Sequence, residues 1–306
     1  MTATHVRQPA VAGRFYPRDP NDLREEVHTY LSQTPRQKPV RALGCIAPHA
    51  GYMYSGHVAG AVFGGLEIPP LCLVLCPNHT GKGRPLAIVG EGAWETPLGE
   101  VAIDSGMAAA LRQRCPLLQE DSSAHRSEHA AEVELPFLQL RQPQLRFVPI
   151  ALGTGQFEPL EQLGEAIADV IAEKKDYILI VASSDMNHYE SDAVTRVKDH
   201  SAIEPILVLD ARGLYDVVTQ QHVSMCGFGP AVAMLTATKK LGATCAELVK
   251  YATSGDVSGD RDLVVGYAGV IVPEPQVPEP QVPVDTKKLE KAKEEQEKKN
   301  NENNRR

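Results

Sequence analysis

Two six-residue runs, LCLVLC at 71–76 and YILIVA at 177–182, are apolar throughout and constrain the fold more than any other feature of the chain. A half-exposed sheet needs alternation, so unbroken apolar runs belong to strands covered on both faces. Further strands are predicted at 42–47, 86–89, 147–152, 245–251 and 264–272. Helical patterns fall at 21–32, 57–66, 106–114, 130–140, 158–173, 195–207, 211–220 and 230–241. This alternation predicts an α/β fold, a single three-layer αβα domain with a mostly parallel or mixed central sheet. Ligands of such sheets bind beyond the carboxyl ends of the strands.

Those ends carry the polar residues. GCIAP runs into His49-Ala50-Gly51-Tyr52, LCLVLCP into Asn78-His79-Thr80-Gly81, and YILIVA into Ser183-Ser184-Asp185-Met186-Asn187-His188. A lone histidine after a strand is usually a structural hydrogen-bonder, but three in equivalent positions suggest a metal site. The glycines beside His49 and His79 suit sharp turns that present a side chain. Imidazole is a common ligand for iron, copper and zinc, and two rarely suffice. Asp185, His188 and Cys226 are candidates for the rest. Cys226 precedes a glycine-rich turn into a helix, where the dipole is expected to lower its pKa. A buried, inert cysteine is the plainer reading. The cluster His125-Arg126-Ser127-Glu128-His129 either supplies a second layer around a metal or is a solvated first turn of the following helix. Glu128 and Glu132, four apart, would share a helix face.

Composition removes several classes. A net charge of −8 over 306 residues argues against a nucleic-acid binder, and 5% aromatic content argues against base-stacking platforms. No run approaches the roughly 20 apolar residues of a membrane span. The start lacks a secretory pattern and the six cysteines form no paired framework, so a cytoplasmic address is expected. There is no GxxxxGK[ST] loop, no GxGxxG after a strand and no GxSxG elbow. The body is expected to span 1–272. Residues 273–306 read as a proline-rich linker, PEPQVPEPQVP, and a charged disordered tail.

In order along the chain, PAVAGRFYP, APHAGYMYSG, PNHTG, WETPLGEVAID, EHAAEVELPFLQL, SSDMNHY, MCGFGP and TSGDVSGD resemble the Memo (mediator of cell motility) family. Its bacterial and archaeal members are called AmmeMemoRadiSam system protein B, and the resemblance covers about 6–272. It implies a fold similar to class III extradiol dioxygenases, which are non-haem iron(II) enzymes. The family's metal positions, two histidines and a cysteine, fall on His49, His79 and Cys226. The SSD-x-x-H segment brings Asp185 and His188 to the same pocket, and His188 resembles the dioxygenases' acid–base histidine. A thiolate in place of their carboxylate makes the site softer, suiting copper as well as iron(II), so ring cleavage does not transfer with the fold. Trp94, Tyr52 and Tyr54 are expected to line an apolar pocket. The function implied is a metal-dependent oxidoreductase using iron(II) or copper, zinc being less favoured. Its substrate would be a small molecule or peptide, and a radical-SAM protein a partner. The alternatives are a non-enzymatic metal- or peptide-binding module and a zinc hydrolase.

Overall fold

The computed structural model describes residues 5–34 and 36–275. The proline-rich and charged segment expected beyond the body lies outside them from residue 276 on. The elements run β1 (Val6–Arg7), α1 (Pro20–Leu31), β2 (Ala42–Ala47), α2 (Tyr52–Gly64), β3 (Leu71–Pro77), β4 (Leu86–Ile88), β5 (Ala93–Thr96), β6 (Gly99–Ile103), α3 (Ser105–Arg114), β7 (Gln119–Glu120) and α4 (Ala130–Arg141). They continue with β8 (Arg146–Leu152), α5 (Phe157–Lys174), β9 (Leu179–Ser183), β10 (His188–Glu190), α6 (Asp192–Leu207), α7 (Ala211–Gln220), α8 (Phe228–Lys240), β11 (Glu247–Thr253), α9 (Gly255–Ser258) and β12 (Val264–Pro273).

Among the described residues, twelve strands form one mixed sheet in the order β1-β5-β6-β8-β3-β9-β2-β12-β10 along its main path. The centre, β8-β3-β9-β2, is parallel throughout, and β12 closes on β2 antiparallel. The apolar runs explain why this centre is buried twice. Along β3, Leu71, Leu73 and Leu75 enter one core cluster while Cys72, Val74 and Cys76 enter the other. The first cluster is completed by α3, α5, α6, α7 and α8, the second by α1, α2 and α4, which makes three αβα layers.

Local chemistry sets the helices. The Asp19 side chain accepts from the Asn21 and Asp22 amides ahead of α1, with Pro20 in its first turn, and Leu23, Val27 and Leu31 form its buried stripe. Helix α2 starts at Tyr52, five residues before the predicted start. Its Gly60 admits α1 so closely that a Cβ there would sit 2.5 Å from the Tyr30 carbonyl oxygen. The β5–β6 hairpin was not predicted, because its strands are short and carry charged residues. Cys72 and Cys76 are fully buried small residues. No helix among the described residues is long and apolar enough to cross a membrane.

Candidate metal centre

Register places the site. Ala47 of β2 is level with Ser183 of β9, so the two following loops leave the sheet side by side. The Asp185 carboxylate accepts from the backbone N–H of His49 at 2.8 Å and of Ala50 at 3.3 Å. His49, 1% exposed, sets its Nδ1 2.8 Å from Ser183 Oγ, while its Nε2 lies 3.3 Å from Cys226 Sγ. One strand further, the Glu128 carboxylate accepts from the His79 backbone N–H at 2.6 Å and from its Nδ1 at 2.9 Å. A carboxylate only accepts, so the His79 hydrogen sits on Nδ1 and Nε2 keeps its lone pair. His129 stacks on His79 with ring centroids 4.8 Å apart, its Nδ1 3.4 Å from Glu128. One potential ligand atom from each of His49, His79 and His129 lies within 4.8 Å of the others.

The electrostatics favour the neutral, ligating form at His49 and His129 but not at His79. Burial, then the neighbouring His129, His79 and His188, hold the His49 pKa well below its ordinary value. Burial lowers His129 too, against the pull of Glu128. At His79 burial acts downward, but the hydrogen bond and charge of Glu128 outweigh it and raise the pKa. Neutral imidazole is the form that binds metal.

On the opposite side, His188 opens β10, and its Nδ1 lies 2.9 Å from the Ser224 carbonyl oxygen, which can only accept. Its Nε2 is therefore the basic nitrogen, and burial holds its pKa below the ordinary value. Asn187 ties the two loops together by accepting from the Ser224 N–H at 3.1 Å and its hydroxyl at 3.0 Å. Ser224 orients His188. Burial pushes the Asp185 pKa up to about 7, against the two backbone N–H groups that it accepts from. Cys226 departs from the sequence expectation. Burial and the adjacent Asp185 push its thiol well above the ordinary value, outweighing any lowering by the start of α8. Gly227 is what lets this loop approach, since a Cβ there would lie 2.3 Å from the Ser183 carbonyl oxygen.

A family model described as Memo-like protein matches residues 7–271. The chain belongs to the Memo family. A MEMO1 family protein of Methanopyrus kandleri is 43% identical over 278 residues, covering 87% of this chain and 98% of that one. Another from Methanothermobacter thermautotrophicus is 41% identical, covering 86% and 99%. A third, from Methanosarcina barkeri, is 43% identical, covering 87% and 100%.

In this Memo-family chain all five predicted site residues line one pocket of about 570 Å³, together with His129, Phe15 and Tyr189. The predicted aromatic lining is elsewhere. Trp94 borders a separate cavity of about 270 Å³ beside Arg7 and His125, and Tyr52 is buried with its hydroxyl donating to the Val133 carbonyl. The actual rim is Phe15, edge-on to His129 at 4.8 Å, and Tyr189, which is 73% exposed with φ of 60°. The donor set fits a transition metal. Bonds of about 2.1 Å to nitrogen and 2.3 Å to sulfur, at 90–109°, would separate the two atoms by about 3.1–3.6 Å. The 3.3 Å between His49 Nε2 and Cys226 Sγ falls inside that span. Both histidine Nδ1 atoms are meanwhile held by oxygen, the usual outer support of ligating imidazoles.

Residues that the sequence reading missed, or left undecided, are the supports. Glu128 precedes α4 instead of sharing its face with Glu132, and Glu132 pairs with Arg7 at 2.7 Å. His125 and His129 do not share a face either, since His125 packs against Trp94 and His129 against His79. Ser183 and Ser224 carried no spacing signal, because their partners lie in distant segments.

Proposed function

We propose that this Memo-family protein holds a redox-active transition metal, iron(II) or copper, and serves as an oxidoreductase for a small molecule or peptide. The observation that carries the reading is the convergence of His49, His79 and Cys226 on one open pocket. His49 Nε2 there faces the Cys226 sulfur at ligand–ligand distance. These three residues would hold the metal, which when bound supplies redox chemistry that zinc lacks. His188 Nε2 takes a proton from the bound substrate and returns it, its backbone-anchored Nδ1 fixing the direction of the lone pair. Asp185 holds the His49 loop through the backbone, and its carboxyl faces the same pocket. Phe15 and Tyr189 form an apolar rim against which the substrate packs and from which water is displaced.

A second reading makes His129 the third ligand in place of Cys226, which the three-imidazole cluster within 4.8 Å favours. The test is metal analysis of anaerobically purified wild type, of a His49→Ala, His79→Ala double variant, and of Cys226→Ser and His129→Gln. Loss of iron and copper is expected from the double variant and from C226S, with retention in H129Q. Equal metal in wild type and double variant sinks the proposal, and loss in H129Q but not C226S transfers the third position to His129. Oxygen uptake with candidate catechols and peptides separates an enzyme from a metal- or peptide-binding module. We also infer a cytoplasmic address, which six unpaired cysteines support, and a radical-SAM protein as partner.

A further inference from the structure

One hydroxyl at the base of the pocket has more partners than it has hydrogens. Ser183 Oγ lies 2.8 Å from His49 Nδ1, 2.8 Å from the Ala130 carbonyl oxygen and 2.7 Å from Glu134 Oε1. A serine hydroxyl offers one hydrogen and two lone pairs. The Ala130 carbonyl can only accept, so it takes the one hydrogen. The remaining two partners must then both donate to Ser183. For His49 this places the hydrogen on Nδ1. For Glu134 it requires a carboxylic acid, because a carboxylate has nothing to donate. An ionised Glu134 would instead compete with Ala130 for the single hydrogen and leave one oxygen pair facing lone pair to lone pair.

We propose that Glu134 is a neutral carboxylic acid that, through Ser183, holds His49 as its Nδ1–H tautomer with the Nε2 lone pair turned to the metal position. Glu134 is a positioning residue, since it touches neither the metal position nor the substrate pocket. Its surroundings agree. Glu134 is fully buried, and its second oxygen, Oε2, has no hydrogen-bond partner. A carbonyl oxygen tolerates that state far better than half of a carboxylate does. The ionisable groups that interact with its charge are Cys45 of β2, Tyr52 of α2, Cys76 of β3 and Asp185 after β9, and none is a cation. Burial accordingly pushes the Glu134 pKa well above its ordinary value, further than a hydrogen bond donated by Ser183 could lower it. The contrast with His79 is chemical, since its Nδ1 is held by the charged carboxylate of Glu128. The pocket therefore supports one ligand through a neutral hydrogen-bond chain and the other through an anion, and an anion raises the basicity of a ligating imidazole.

The proposal rests on the metal-site reading for its purpose, but its test is made on metal-free protein. An infrared difference spectrum at pH 7, wild type minus Glu134→Gln, should show a carboxylic-acid C=O band. Long-range 1H–15N NMR should show His49 as Nδ1–H in wild type. It should show the same in E134Q, because the amide donates to Ser183 as the acid does. In Ser183→Ala the His49 tautomers should mix, and iron(II) affinity should fall about tenfold or more, while E134Q should lose less than that. Absence of the acid band, or a His49 hydrogen on Nε2 in wild type, overturns the assignment, as does an E134Q variant that loses the Nδ1–H tautomer. If S183A does not fold, the infrared band and the E134Q spectrum decide. A protein that binds no metal would sink the proposed function and leave the Glu134 acid and the His49 tautomer standing.

Discussion

The two sides of the candidate metal pocket are built from one stretch, the entry and first turns of α4, and are held by opposite means. On the His79 side, Glu128 is an ionised anchor. Although burial acts against its charge, hydrogen bonds from His79 and the Ala130 N–H hold its pKa below the ordinary value. Behind it, Arg7 donates to the Glu128 and His125 carbonyls and to the Glu132 carboxylate, all at 2.6–2.7 Å. On the His49 side, six residues further along, Glu134 has no cation, and its one side-chain partner, Ser183, has its hydrogen committed to the Ala130 carbonyl. Two carboxyls of the same chemistry thus take opposite charge states, decided by how many donors the fold brings to each. A buried carboxylate persists only where several donors converge on it.

The largest effect should come from the arginine behind the charged side. Arg7→Met leaves Glu132 buried with only the Ala10 and Val11 amides and the Tyr16 hydroxyl as donors. Removing one partner of a buried pair costs about 3–5 kcal/mol, which chemical denaturation would read directly. A loss below about 1 kcal/mol, typical of exposed pairs, would mean that this side does not depend on its arginine.

Next in size is Glu128→Gln. The His79 pKa should fall below its ordinary value, because burial stays while the anion that raised it is gone. Metal affinity should drop about tenfold to hundredfold. A histidine titration by NMR showing His79 unmoved would break the contrast between the two sides.

Much of this site was legible in the chain, for a definite reason. The apolar runs announce central parallel strands, and such strands expose their next few residues at one edge, so His49, His79, Asp185 and His188 had to be neighbours. Cys226, on its glycine-rich turn, was one of three candidates; only family resemblance singled it out, and no spacing rule would have brought it to His49. The charge states were not legible at all. Glu128, Glu132 and Glu134 sit within seven residues in similar company, yet their partners are His79, Arg7 and Ser183, each about 50 to 125 positions away. The roles of His125 and His129 were equally closed to inspection, since α4 begins at Ala130 and leaves both outside the helical repeat that would have paired them. Trp94 was expected, with Tyr52 and Tyr54, to line the pocket. It packs instead under the Arg7 guanidinium at 4.1 Å, in the structure supporting the charged side.

Gly227→Ala attacks the neutral side sterically. The new Cβ would meet the Ser183 carbonyl oxygen at 2.3 Å and the Ser184 Cβ at 2.4 Å, so the Cys226 loop must move off β9. Overpacking of this kind costs about 1–3 kcal/mol. If Cys226 is a ligand, a thiolate-to-metal absorption band seen in wild type should weaken or shift, while the His79 titration stays as it was. An unchanged band would show that the close approach of Gly227 is not what sets the sulfur.

The smallest effect is also the sharpest, because its sign differs between the two carboxyls. The folded-state pKa of Glu134 is raised above its ordinary 4.5, so its contribution to stability is fully present below pH 4.5 and is lost as pH rises toward the folded value. Removing the ionisable group removes that loss. Metal-free Glu134→Gln should therefore gain on wild type as pH rises above 4.5, by at most about 1.4 kcal/mol per pH unit. Glu128 runs the other way. Its folded pKa lies below 4.5, so its contribution is present above that pH and is lost as pH falls through the folded value. Metal-free Glu128→Gln should be the less stable protein at pH 7 and should converge on wild type in acid. Denaturant midpoints followed from strong acid to pH 8 should thus show E134Q gaining on wild type above pH 4.5 and E128Q closing on it only below pH 4.5. Parallel curves for E134Q and wild type would mean that Glu134 is ionised in the folded protein, and the two sides would then be held in the same way after all.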